Sequence, residues 1–378
     1  MRLIIAPDSF KGTLTSRDVI EIIAEAANRH FPGAEIIKVP IADGGEGTVD
    51  SLLAATDGER RECRVLDPLG REITAKYGVI RGETAIFEMA QASGLPLLSP
   101  EEQNPLRTST YGTGQMLKAA IDEGVRHLII GIGGSATNDG GIGAARALGV
   151  KFYDANGNEL GNGGQDLGRI AEIDMDNLDS RISQCKITVI CDVNNPLTGP
   201  DGATRVYGPQ KGASGQVLEQ LEAGMENYRR LLLKQLGTDF NQQPGAGAAG
   251  GLGAALLGFL GATLRPGTET ILDLVRFDEL LNETDLVITG EGRIDRQTAF
   301  GKVPVGIARR CQKKNIPVIA IGGTISDDID NIYDYGIDGV VTCINREMTL
   351  ETAMADARKL LAAAADRMFR LIKVGANL

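Results

Sequence analysis

Six apolar runs of this chain each break into glycine beside a carboxylate, amide, hydroxyl or lysine. They are LIIAPDSFKG from Leu3, KVPIADGGEGT from Lys38, HLIIGIGGSATNDGG from His127, ITVICDVNNP from Ile187, DLVITGEGRID from Asp285 and IPVIAIGGT from Ile316. Runs of this kind read as strands buried on both faces, and a parallel sheet gathers its functional loops at the carboxyl ends of such strands. Glycine there lets backbone N–H groups approach a ligand closely, and clustered N–H groups suit an anion. The expected class is α/β, built around a small negatively charged molecule, most plausibly one carrying phosphate.

The spacing of apolar residues sets the order of elements. Leu3–Ala6 reads as a buried strand. Thr15 or Ser16 caps a helix that repeats Val19, Ile22, Ile23, Ala26 and Ala27 at helical spacing. Ile36–Ile41 reads as the next strand and Thr48–Ala55 as the next helix. From Glu62 to Glu88 shorter strand-like pieces joined by Pro, Gly and charged turns read as antiparallel hairpins. Further on, Thr113–Glu123 reads as a helix, His127–Ile132 as a strand and Val217–Gln235 as a long helix. Past residue 270 strands Asp285–Thr289, Pro317–Ile321 and Gly339–Cys343 alternate with helices near Val303–Lys314 and Leu350–Ile372. The two ends resemble each other more than either resembles the middle. The expectation is therefore two domains: residues 1–60 plus 270–378, doubly wound, and an inserted α/β domain over 61–269.

Composition removes several functions. Lys and Arg number 39 against 50 Asp and Glu, a net charge of −11 that repels a polyanion and argues against nucleic acid. Trp is absent, so aromatic stacking platforms for bases are a poor basis for function. The five cysteines include no C-x-x-C pair, which points to free thiols in a reducing compartment. The first residues run straight into a strand pattern without a signal-like stretch, and AALLGFLGATL from Ala254 is too short to span a bilayer. The expectation is a cytoplasmic protein with no membrane partner; a homo-oligomer is compatible with it. The two histidines, His30 and His127, sit at a helix end and a strand start, which argues against a Ser-His-Asp triad or a His-rich metal site.

Several loops carry candidate chemistry. Lys11, in Ala6–Gly12, either neutralises a phosphate or carboxylate or is a solvated loop lysine. Asp43 opens DGGEGT, which is an anion nest, a cation site or a simple helix cap. The loop Gly131–Gly141 holds five glycines and two hydroxyls, and so many positive-φ positions favour a ligand role. Gly245–Gly250 spells G-x-G-x-x-G, but Asn241–Pro244 precedes it instead of a strand, so a dinucleotide fingerprint is not expected. Asp192 follows ITVIC, while Glu291 and Asp295 follow DLVIT; Lys211 adds a cation in YGPQKGA. Carboxylates, cations and glycine nests together are the parts of phosphoryl transfer.

Eight segments in order resemble the type 1 glycerate kinase family: APDSFKGTLTS, PIADGGEGTVD, NPLRTSTYGTGQ, IGIGGSATNDGGIGA, CDVNNPLTGPDGAT, YGPQKGA, GAGAAGGLGAAL and ITGEGRIDRQTAFGKVP. They spread from residue 6 to residue 304. The resemblance implies ATP-dependent, Mg²⁺-dependent phosphorylation of D-glycerate, with 2-phosphoglycerate as product. It also implies a flavodoxin-like domain made from both chain ends, an inserted α/β domain and an active site in their cleft. From their places at strand ends in polar, glycine-containing turns, Asp192, Lys11 and Asp295 are assigned to catalysis, and Ser9, Lys11, Asp43 and Arg293 to the substrate. Gly133, Gly134, Ser135, Thr137, Lys211, Gly247 and Gly250 are assigned to nucleotide phosphates, and Asp295 with Glu291 to the metal or its water shell. The alternatives are a nicotinamide-dependent hydroxy-acid dehydrogenase and a non-catalytic binder of a small anion.

Overall fold

Leu3, Ile4 and Ile5 are each at most 1% exposed, without alternation, as expected of a strand covered on both faces. They lie in the first strand of a computed structural model that describes residues 1–41, 47–161, 163–296, 298, 302–327 and 329–376. The described residues form β1 (Arg2–Ile5), β2 (Glu35–Lys38), β3 (Gly58–Leu66), β4 (Glu72–Ile80), β5 (Thr84–Glu88), β6 (His127–Gly131) and β7 (Lys151–Tyr153). They continue with β8 (Glu172–Asp174), β9 (Lys186–Ile190), β10 (Thr263–Arg265), β11 (Leu286–Ile294), β12 (Val318–Ile325) and β13 (Gly339–Thr342). The chain divides into two units. One is Met1–Asp43 with Asp50–Thr56 and Gly267–Leu378; the other is Gly44–Val49 with Asp57–Pro266.

The first unit holds a five-stranded sheet in the order β13-β12-β11-β1-β2. Every pair in it is parallel. Counted within the unit, the order is 2-1-3-4-5, the flavodoxin-like doubly wound topology. Helix Ser16–His30 starts from a reciprocal cap: Thr15 Oγ1 accepts from Asp18 N, and Thr15 N donates to the Asp18 carboxylate. Its buried Val19, Ile23 and Ala26 share a core with Leu361, Ala365 and Phe369 of helix Ala357–Gly375. On helix Val303–Gln312, Arg310 is buried among Glu269, Asp273 and Asp278, at 2.7, 2.7 and 3.2 Å.

Among the boundaries that differ from expectation, three have a clear physical reason. β2 stops at Lys38 instead of Ile41: Val39 N still donates to the Ile5 carbonyl, but Ile41 N donates to Ser16 Oγ, and that hydroxyl takes the Pro7 carbonyl that would have continued the ladder. The C-terminal helix is broken at Asp356 into Leu350–Ala355 and Ala357–Gly375; the first piece has its own Thr349 cap and buries nothing. β11 does not turn at Gly290. It runs on through Ile294, because β12 continues beside it to the pair Ile294↔Ile325. Glycine makes that approach possible: a Cβ on Gly323 would lie 2.4 Å from the Gly292 carbonyl oxygen.

The second unit holds a six-stranded sheet in the order β10-β9-β6-β5-β4-β3, with a separate β7-β8 pair. β5, β6, β9 and β10 are parallel, whereas β3–β4 and β4–β5 are antiparallel hairpins. Helix Gly215–Leu236 buries Leu221, Met225, Tyr228 and Leu232 at helical spacing and stops at Gly237, whose φ of 70° is the left-handed C-cap conformation. Leu233 on the same helix is 43% exposed.

All five cysteines are free. Cys311 and Cys343 are buried, and burial pushes each thiol up to about 12 from 9.0. A folded-state pKa raised in this way contributes stability that is present below pH 9 and lost as pH climbs toward 12. The Cys311→Ala/Cys343→Ala double variant should therefore lose less melting temperature than the parent between pH 9 and pH 11, a window inside those two values. Parallel pH profiles in differential scanning fluorimetry would contradict this.

Candidate active site

In the first unit the strand order reverses between β1 and β11, and their carboxyl ends open side by side. Ala6 N donates to the Ile288 carbonyl and Asp8 N to the Gly290 carbonyl, both at 2.8 Å. These bonds carry the pairing past the end of β1. The following loop is pinned again where Ser16 Oγ donates to the Pro7 carbonyl at 2.7 Å and Phe10 N to the Leu14 carbonyl at 2.8 Å. Asp8 is buried and accepts from Ser9 N at 2.6 Å. Lys11 stands exposed at the turn, before Gly12 at φ 77°. Gly292 of β11 faces this backbone: a Cβ there would lie 3.5 Å from Lys11 N.

β11 adds charged groups to the same end. Glu291 is 5% exposed; its Oε1 accepts from Thr298 Oγ1 at 2.5 Å and its Oε2 from Lys302 Nζ at 3.2 Å. Burial pushes the Glu291 carboxyl above its ordinary range, while the Thr298 hydroxyl and the Lys302 ammonium oppose that. Lys302 Nζ also lies 3.8 Å from Asp295 Oδ1, and Arg293 Nε lies 3.3 Å from Asp295 Oδ2. The structure thus brings Lys11, Ser9, Glu291, Arg293 and Asp295 to one end of one sheet. Two partners were missed by sequence reasoning: Thr298, and Lys302 as the bridge between the carboxylates. Lys302 lies eleven residues past Glu291, and only the fold of the intervening chain sets that distance.

In the second unit the loop after β6 has Gly134, Gly140 and Gly141 in the left-handed region, at φ 72°, 63° and 76°. Gly133 and Gly134 are exposed, whereas Ser135 and Thr137 are buried. Asp139, which received no role from the sequence, is fully buried. It accepts from Thr110 N and Oγ1, both at 2.8 Å, from Gly141 N at 3.1 Å and from Gly143 N at 3.3 Å. Burial pushes its carboxyl up, against the pull of those hydrogen bonds.

Lys211 and the second glycine run sit differently from expectation. Lys211 is not on an open loop: it is 0% exposed, and its Nζ donates to the Thr137 carbonyl at 2.6 Å. Gly247 and Gly250 pack against main chain, since a Cβ on each would meet the Pro196 and Thr137 carbonyl oxygens at 2.0 and 2.1 Å. The 3-10 helix Phe240–Gln242 precedes them, and Ala249, Gly250 and Gly251 are left-handed, so the run does not open a helix in the dinucleotide-binding manner. Asp192 is exposed just past β9. Asp43 lies outside the described residues.

Fold and strand-end chemistry define a doubly wound α/β protein with charged loops at the carboxyl ends of its strands. A model described as the glycerate kinase family matches residues 3–373. The chain belongs to the glycerate kinase family. It is 44% identical over 376 residues to the glycerate 2-kinase of Escherichia coli (strain K12), covering 99% of both chains. It is 48% identical over 362 residues to the glycerate kinase of Bacillus subtilis (strain 168), covering 96% of this chain and 95% of that one. A crystal structure described as a glycerate kinase 2 from Salmonella typhimurium LT2 matches with a TM-score of 0.89 at 44% identity, over 100% of both chains. No helix among the described residues is long and apolar enough to cross a membrane.

Proposed function

We propose that this protein is an ATP-dependent kinase that phosphorylates D-glycerate to 2-phosphoglycerate, acting in the cytoplasm. The observation carrying this reading is the meeting, at the β1/β11 switch point, of the pinned Lys11 loop with the Glu291–Lys302–Asp295 cluster. A small anion needs a fixed cation, and phosphoryl transfer needs carboxylates beside it. Near-full-length similarity to a protein named glycerate 2-kinase supports the choice of acid.

The roles follow from chemistry. Lys11, with Ser9, Asp43 and Arg293, binds and orients the acid; the Lys11 ammonium clamps its carboxylate or the transferring phosphoryl group. The exposed amides of Gly133 and Gly134 receive nucleotide phosphate, with Ser135, Thr137, Lys211, Gly247 and Gly250 in or behind that surface. Asp192 accepts the proton of the attacking hydroxyl. That oxygen forms a bond to the γ-phosphorus as the bond to the β–γ bridging oxygen breaks, and ADP leaves with that electron pair.

Mg²⁺ takes hard oxygens and keeps several waters. Glu291 and Asp295 supply such oxygens and already converge on one cation, the Lys302 ammonium, at 3.2 and 3.8 Å. The two carboxylates would hold such an ion through its water shell. When bound, that ion neutralises charge on the phosphates.

Purified protein given ATP, Mg²⁺ and D-glycerate should release ADP in a coupled assay, and product NMR should show phosphorus coupling at carbon 2. No ADP above background overturns the kinase reading. Coupling at carbon 3 overturns the regiochemistry alone.

A further inference from the structure

Lys211 ends the short 3-10 helix Pro209–Lys211 and is followed by Gly212 at φ 96°. Only glycine fits there, because a Cβ would lie 2.2 Å from the Gln103 carbonyl oxygen. Beside this turn the lysine side chain is fully buried, and its ammonium bonds the Thr137 carbonyl. Burial pushes the Lys211 ammonium down to about 7, against the attraction of the Asp139 carboxylate in the same loop, and burial with that carboxylate also pushes the Tyr228 hydroxyl up. Neutral bonds tie the loop nearby: Thr108 Oγ1 to the Ala136 carbonyl at 2.9 Å and Asn138 Nδ2 to Thr204 Oγ1 at 3.0 Å. Thr137 Oγ1, Asn138 Oδ1 and the Tyr228 hydroxyl are buried without a hydrogen-bond partner.

A buried ammonium costs stability unless an opposite charge and a good acceptor meet it. An apolar side chain of similar length would fill this space without that cost. It could not hold the Thr137 carbonyl, which lies four residues from Gly133. The hydrogen-bond donor therefore does something that packing alone would not.

We propose that Lys211 is a positioning residue: through the Thr137 carbonyl it fixes the main chain of Gly131–Gly141, so that the Gly133 and Gly134 amides meet a nucleotide phosphate in one geometry. This rests on the nucleotide role given to that loop above. Asp139 is the counter-charge and anchors the far end of the loop through Thr110, Gly141 and Gly143.

Two variants test it, Lys211→Met and the double variant Lys211→Met/Asp139→Asn. Lys211→Met should raise KM for ATP about tenfold or more, the scale expected of a small misplacement of binding groups, with kcat within a few-fold. Amides of the loop should exchange faster in hydrogen-exchange mass spectrometry while those of β6 stay protected. Lys211→Met takes away the positive charge that offsets the Asp139 carboxylate, whose four hydrogen bonds remain, so its melting temperature should fall. The double variant removes both buried charges and should keep the raised KM. A parental KM and parental loop exchange in Lys211→Met overturn the proposal. So does a KM that recovers along with melting temperature in the double variant, since that marks a role in stability alone. Should Lys211→Met fail to fold, the double variant decides on the same two readouts. The exchange measurement needs no turnover, so failure of the kinase reading, seen as no ADP from the parent, is distinguishable from failure of this one.

Discussion

Asp192→Asn is expected to lower kcat by about 10²- to 10⁴-fold, the range for loss of a positioned general base. The substitution keeps shape and hydrogen-bonding capacity while removing the group that takes up the proton. KM for D-glycerate should change far less, because the acid is held elsewhere. Asp192 follows β9 directly and is exposed. The matching change Asp295→Asn should instead raise the Mg²⁺ concentration needed for half-maximal rate. If Asp192→Asn moved only the Mg²⁺ requirement, the two roles would have to be exchanged. If neither variant altered turnover, the assignment of the site would be wrong even with kinase activity established.

Lys11→Ala should reduce kcat/KM for D-glycerate by about 10²-fold or more, the scale of losing a fixed charge that stabilises a developing anion. The effect should be electrostatic. The loop is held by its own main chain, through Asp8 N to Gly290 O and Phe10 N to Leu14 O, and by the Ser16 hydroxyl on the Pro7 carbonyl. None of those bonds uses the Lys11 side chain. Its rate should fall less steeply with added salt, since one screened attraction is gone. Activity within a few-fold of the parent would remove Lys11 from the site.

How much of this was legible beforehand depended on the range of the forces involved. Local patterns carried the elements. The all-apolar runs at Leu3 and Leu128 became covered parallel strands, the Thr15–Asp18 cap started the first helix, and the hairpins from Glu62 to Glu88 appeared as antiparallel pairs. Each rests on side-chain periodicity or on bonds between neighbours in sequence. Boundaries failed where a neighbouring strand intervened: β11 passes through Gly290 because β12 offers it a ladder, and no residue of β11 announces that.

The charged residues divide in the same way. Strand-end loops were found by composition, because glycine next to a carboxylate or lysine is a local signal. Whether a charge faces solvent or is buried is not local. Lys211 sits in a glycine-flanked turn much as Lys11 does, yet one is fully buried against a carbonyl and the other is exposed. Likewise Asp139 reads as one more polar loop residue, but the fold surrounds it with four donors. By itself the sequence determined the α/β class, the strand ends where glycine and charge gather, and the family. Tertiary structure decided which of those charges pair, because Coulomb energy and desolvation depend on distance and burial, and both are set by residues remote in the chain.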